Sequence, residues 1–248
     1  MSSSERIILL VHDAWLGGWS WEKVTGHLLE QGDQVVTLDL PGHGPNRVDE
    51  KITLETYARA VINTAGSYSD KKIILVGHGT AGPVIQLAAE TLGNQVAGLI
   101  FINGFILRDG ESIASQMPPE IAAFFKSMAD SNPETCIDLS LIPDFWRFNV
   151  MNDAPVQAEQ ILTRLVPEPA IPLFESIRLN TFFEKRPPCG YISFNEDMTL
   201  PPGDYYPRMA NKLGKYRHVN INAGHEGILT KPREVAEAIY YLLNLGLL

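Results

Sequence analysis

The chain has 248 residues and a formal net charge of −9, enough length for one large hydrophobic core. The acidic balance, with no Lys/Arg cluster interleaved with aromatics, argues against a phosphate-backbone partner, so no nucleic acid is expected. The two cysteines, Cys136 and Cys189, stand far apart in no metal or redox spacing and read as reduced thiols of a cytoplasmic protein, with one disulfide left open.

Residues 7–11 form a short apolar run, too short for a secretory h-region or a membrane span, and read as a first strand buried on both faces. No membrane partner is expected. A glycine-bearing loop follows (His12-Asp13-Ala14-Trp15-Leu16-Gly17-Gly18), and then helical spacing through Trp21, Val24, Leu28 and Leu29 predicts a helix over 19–31, with Gly32 at its C-terminal cap. Residues 35–38 read as a strand, the segment from Asp39 to Pro45 as its turn, and 54–65 as a helix capped by Thr53. Residues 73–76 are again strand-like, and Gly77-His78-Gly79-Thr80-Ala81-Gly82 leads into an Ala-rich helix. A further apolar strand is read over 96–102.

Regular alternation then stops. From Asn103 to about Pro188 no strong strand pattern appears, and repeated prolines and aromatics break the chain into short helices and loops. An insertion of this length between strands of one domain reads as a lid over a core formed by 1–103 and 189–248, with 104–188 as the lid. Strands at 190–194 and 216–221 and helices at 205–213 and 232–245 complete an α/β pattern with a doubly wound, mostly parallel sheet.

A strand, a small-residue turn and a helix in that order make the nucleophile elbow G-x-S-x-G, and here its middle position is Gly79. Together with the first-strand loop His12 to Trp21 and the C-terminal segments Asn195-Glu196-Asp197-Met198-Thr199-Leu200-Pro201 and Ala223-Gly224-His225, the chain resembles the α/β-hydrolase superfamily. It is most similar to the branch of plant methyl-ester esterases, hydroxynitrile lyases and bacterial esterases. The resemblance implies Asp197 as acid and His225 as base, Asp197 fixing the imidazole tautomer, and an oxyanion hole from the backbone N–H groups of Ala14 and Thr80. It departs at two positions. Gly79 replaces the nucleophile, a position where glycine fits the unusual backbone geometry without cost. Asp13 replaces the branch's usual glycine, and either aims into the cavity as a desolvated proton donor with raised pKa, or turns to bind loop N–H groups.

Asn103 stands where many relatives carry Asp and reads equally as a turn residue. Trp15, Phe105, Phe124 and Trp146 are candidates for an apolar substrate wall. His12, His43 and His78 read as structural, and the Thr80 hydroxyl as pointing away from substrate. No metal cluster, dinucleotide fingerprint or P-loop appears, so no metal and no cofactor are expected. Three functions stay open. One is an enzyme of lyase, isomerase or cyclase type, with His225 and Asp197 as an acid/base pair and Asp13 at the same site, acting on a small apolar carbonyl or ester-like substrate. The second is a serine carboxylesterase whose nucleophile is replaced by Gly79, by engineering or naturally. The third is a non-catalytic small-molecule receptor. A homodimer is also left open.

Overall fold

The computed structural model describes residues 5–44, 51–132, 134–200 and 205–244. Pro45, Pro201 and the last residue of the expected closing helix, Leu245, lie outside them. Six parallel strands form one sheet: β1 (Arg6–Val11), β2 (Val35–Thr37), β3 (Lys72–His78), β4 (Val96–Ile102), and, after the two-residue strands β5 (Cys136–Ile137) and β6 (Glu168–Pro169), β7 (Cys189–Phe194) and β8 (Arg217–Ile221). Their spatial order is β2-β1-β3-β4-β7-β8. Leu10 pairs with Val76, Val76 with Ile100, and Ile100 with Gly190, so the C-terminal ends of the central strands lie level. That level edge, just past the carboxyl ends, is where open α/β sheets bind ligands.

Every residue of β1 is buried, and the core divides by side-chain parity. Ile8, Leu10, Ile74, Val76 and Ile100 face one layer, packed under α1 (Glu22–Glu30) and the closing helix Pro232–Asn244. Ile7, Leu9, Ile73, Leu75 and Leu99 face the other, under α2 (Leu54–Gly66) and α3 (Ala81–Leu92). Strands covered on both sides need no polar alternation, which is why they appear in the sequence as unbroken apolar runs. Thr53 caps α2 as expected, its side chain accepting from the Thr56 N–H, a contact worth about 1 kcal/mol. The expected helix over 19–31 is split: Gly18–Trp21 is a 3-10 turn, and α1 begins only at Glu22.

Between β4 and β7 lie α4 (Pro119–Ser131), several helical turns, a π-helical segment at Trp146–Val150, and the antiparallel β5–β6 pair, in which Cys136 faces Pro169 and Ile137 faces Glu168. Both cysteines are free thiols. Among the described residues no helix is long and apolar enough to cross a membrane.

Candidate active site

β3 ends at His78, and the chain reverses into α3 through Gly79, whose φ of +51° lies in the left-handed region that glycine enters freely. The turn is tied to its neighbours: the Gly79 N–H donates to Ile102 O, and Gly79 O accepts from the N–H groups of Gly82 and Phe105. Gly82 has its own reason to be glycine, since a Cβ there would lie 2.0 Å from Phe105 O. β1 ends in parallel beside it, and its next residues, His12 and Asp13, are both buried.

The Asp13 carboxylate occupies the space that an elbow side chain would need. A Cβ on Gly79 would stand 2.1 Å from Asp13 Oδ2, 2.2 Å from Cγ and 2.3 Å from Oδ1. Oδ1 accepts from the Ala14 N–H at 2.7 Å, the Thr80 N–H at 2.6 Å and the Thr80 hydroxyl at 2.7 Å. Both N–H groups assigned to an oxyanion hole therefore converge on one point, and Asp13 holds that point. Thr80 does not turn away as expected, because its hydroxyl belongs to this cluster. The two readings of Asp13 are not alternatives either: it binds the loop N–H groups with one oxygen and reaches His225 with the other.

That second oxygen, Oδ2, accepts from His225 Nε2 at 2.9 Å, while His225 Nδ1 donates to Asp197 Oδ2 at 2.8 Å. The imidazole is thus clamped between two carboxylates contributed from opposite ends of the chain. Asp197 is oriented by the Thr199 N–H at 2.8 Å and hydroxyl at 2.5 Å, and by Asn103 Nδ2 at 2.5 Å. Asn103 also accepts from the Phe194 N–H and adopts a φ of +44°. It lies behind Asp197, as a positioning group, and does not line the cavity.

Burial opposes charge on all three groups, yet the contacts reverse the balance. Desolvation would lower His225, but Asp197 and the Asp13 hydrogen bond raise its pKa well above the ordinary imidazole value. Desolvation likewise works against the Asp13 carboxylate, but the hydrogen bond from His225 and the neighbouring imidazoles hold it below the usual carboxylate range. Asp197 is lowered for similar reasons, against its burial. This corrects the expectation for Asp13: it is an ionised acceptor, and the proton resides on His225.

The cavity over this array has a volume of about 40 Å³. Trp15 and Phe105 stand in its wall together with Phe125 and Phe145, above Asp13 and His225. Two expected wall residues are elsewhere. Phe124 is 48 % exposed, and Trp146 is buried with its indole N–H donating to Ala158 O. Trp15 adopts a φ of +62° and is held there by three contacts: its N–H to Glu168 Oε2, its indole N–H to Ile137 O, and its carbonyl from the Val166 N–H. All three partners belong to the segment between β4 and β7.

Two buried residues of the site, Glu168 and Glu226, were not reached from the sequence. Glu168 accepts from Trp15, from His43 Nε2 at 2.7 Å and from the Tyr57 hydroxyl at 3.0 Å, and no local pattern around Glu168-Pro169 marks it. Glu226, in the cavity wall, directly follows His225, an adjacency that offered a signal. Burial pushes its carboxyl up to about 8. His78 donates from Nε2 to His225 O, and its Nδ1 lies 3.8 Å from Glu226 Oε2. Burial keeps His78 neutral down to about 4 and His12 down to about 3; His12 donates to Asp13 O and accepts from the Leu40 N–H.

Asp13, His78 and His225 each offer a ligand atom within 4.8 Å of the others. In this arrangement both ring nitrogens of His225 are engaged by carboxylates, Nε2 by Asp13 and Nδ1 by Asp197.

A parallel sheet with this strand order, a left-handed turn into the helix after β3, and a histidine–aspartate pair after β8 and β7 define an α/β-hydrolase. The chain belongs to the alpha/beta hydrolase family, which it matches over residues 8–238. It is 24 % identical to polyneuridine aldehyde esterase of Rauvolfia serpentina, over 96 % of each chain, and 26 % identical to the carbendazim hydrolyzing esterase of a Nocardioides species, over 93 % of this chain and 97 % of that one. Among solved structures, an extracellular α/β-hydrolase from a Paenibacillus species, described as sharing structural and functional homology with tobacco salicylic acid binding protein 2, superposes with a TM-score of 0.90. The identity is 28 %, covering 95 % of this chain and 98 % of that one.

Proposed function

We propose that this chain is an α/β-hydrolase-fold enzyme that works without a serine nucleophile. It moves protons at the Asp13–His225–Asp197 array on a small, largely apolar carbonyl or ester-like substrate, in chemistry of lyase, isomerase or cyclase type, under a lid formed by residues 104–188. The observation that carries this reading is the mutual fit of Gly79 and Asp13: the carboxylate stands where an elbow side chain would be and already fills the pair of N–H groups. In the step proposed, a substrate oxygen takes the place of Asp13 Oδ2 at His225 Nε2 and receives its proton. Asp13, released from that contact, accepts a proton from the substrate. Transfer from Asp13 back to His225 resets the site, and Asp197 holds the ring throughout.

The test is deuterium incorporation α to the carbonyl of acetone, a probe small enough for the cavity, in D₂O, followed by NMR. Wild type is expected to exchange the probe and His225→Ala to lose that exchange by a factor of about 10² or more. Full exchange by His225→Ala would overturn the reading.

A second reading, ester hydrolysis, is favoured by the two esterases to which the chain is similar over nearly its whole length. Hydrolysis of methyl acetate by wild type, followed by NMR and lost in His225→Ala, would support it. Serine chemistry is expected only in the double variant Asp13→Gly/Gly79→Ser, read by labelling with a fluorophosphonate probe. Labelling of Gly79→Ser alone would count against the mutual fit.

A further inference from the structure

The N–H and hydroxyl donors that converge at the elbow, and both ring nitrogens of His225, are already spent. The N–H groups of Ala14 and Thr80 and the Thr80 hydroxyl end on Asp13 Oδ1, His225 Nε2 ends on Asp13 Oδ2, and His225 Nδ1 ends on Asp197. A hydrolase site receives negative charge from its substrate at these donors; here a carboxylate of the protein itself is already there. Two buried carboxylates face one imidazolium, so the array carries a net charge of about −1, beneath walls that, among the described residues, contain no Lys or Arg. The remaining titratable groups around it add no positive charge at neutral pH: His12 and His78 are neutral, and Glu226 holds its proton, partly because Asp13 and Asp197 repel a third carboxylate. The rest of the wall is largely apolar, with four aromatic residues, Trp15, Phe105, Phe125 and Phe145, beside aliphatic ones such as Ile121 and Leu200. The rings of Trp15 and Phe125 lie 5.8 Å apart and those of Phe125 and Phe145 6.0 Å apart, and aromatic faces attract cations once water is excluded.

We propose that the cavity takes positive charge: its ligand is a small organic cation, an alkylammonium or iminium group, whose charge sits against Asp13 and whose carbon atoms sit against Trp15, Phe105, Phe125 and Phe145. This deepens the acid/base reading above and rests on it for the location of the site. It inverts the electrostatic preference of the fold, since a developing oxyanion would meet Asp13 and a developing cation is stabilised by it. A carbonyl compound that passes through a protonated or iminium form fits the same requirement.

Methylammonium, methanol and formate are matched to the small volume of the cavity and carry charges of +1, 0 and −1. Their dissociation constants are measured at constant ionic strength by NMR titration of the Trp15 indole N–H, assigned with Trp15→Phe. Methylammonium is expected to bind at least tenfold more tightly than methanol, and formate most weakly. Asp13→Asn, which removes the net charge, is expected to abolish the preference. Equal or tighter binding of formate, absence of methylammonium binding, or an unchanged preference in Asp13→Asn overturns the inference; should that variant not fold, the wild-type ranking decides. Because this is a binding measurement, a failed charge ranking leaves the acid/base reading standing so long as turnover still depends on His225, whereas loss of that dependence sinks the acid/base reading whatever the ranking.

Discussion

Replacing Gly79 with alanine tests the central contact without adding any chemistry. Two costs follow from the geometry. A residue with a Cβ at a φ of +51° pays about 1–2 kcal/mol of left-handed strain. The larger cost is displacement of Asp13, whose carboxylate would lie 2.1–2.3 Å from the new atom. Moving it breaks contacts with Ala14, Thr80 and His225, charge-assisted hydrogen bonds worth roughly 1.5–3 kcal/mol each before water recovers part of the loss. Gly79→Ala should therefore destabilise by about 3–5 kcal/mol, a fall in Tm on the order of 10 °C for a chain of this length. Asp13→Gly alone strips His225 of one counter-ion and takes the acceptor from the Thr80 N–H, while the Ala14 N–H keeps the Thr80 hydroxyl oxygen. In the double variant the steric cost is already removed, so its destabilisation should fall short of the sum of the single values by about 2–3 kcal/mol. Urea denaturation of the four proteins measures this coupling. Additive values, or a Gly79→Ala cost no greater than the strain alone, would refute the argument.

Other outcomes follow from the same contacts. His225 is held protonated, so the stability it contributes is complete below its ordinary value near pH 6.5 and is lost as pH climbs through the raised value; Asp13 and Asp197 are held ionised, so theirs is complete above about pH 4 and lost as pH falls through their lowered values. His225→Gln should thus cost most between these limits in a series of thermal melts. Glu226 has the opposite sign for an acid: the folded chain resists ionising it between 4.5 and about 8, so Glu226→Gln should gain stability over wild type progressively across that range and hold a constant gap above it. Glu168→Ala leaves the Trp15 N–H, His43 and Tyr57 without their shared acceptor and should destabilise by about 3–4 kcal/mol, against about 1 kcal/mol for Tyr57→Phe, both read by urea titration.

Most of the sheet was legible because its central strands are buried on both faces and so remain apolar along their length, as in β3 and β4. β8 was also found, although its pattern is half exposed. The β5–β6 pair was missed: two residues per strand carry no periodicity, and the partners lie about thirty positions apart. At the site, Asp13, Thr80, Asp197 and His225 were singled out through the resemblance of their loops to those of α/β-hydrolases, but the contact that unites them was not legible. Asp13 and His225 are separated by 212 positions, and whether a buried carboxylate is raised or lowered depends on a partner that no local sequence reveals. The aromatic residues show the same limit: Phe124 and Phe125 are adjacent, yet only the second faces the cavity, because helix geometry turns neighbours about a quarter-turn or more apart.

The exclusion between a Cβ at position 79 and a carboxylate at position 13 also imposes an order on history. In a site with serine at 79 and glycine at 13, the pattern the chain otherwise resembles, an aspartate arriving first could not take its present place on the Ala14 and Thr80 N–H groups, because the elbow side chain would claim the same space. Single substitutions connect the two arrangements at low steric cost by one route, through a form with glycine at both positions. That intermediate keeps the left-handed turn and leaves its N–H groups open to water or to a small anion. It is a protein that can be made, and its stability and ligand preference would show what was present at the site before the aspartate arrived.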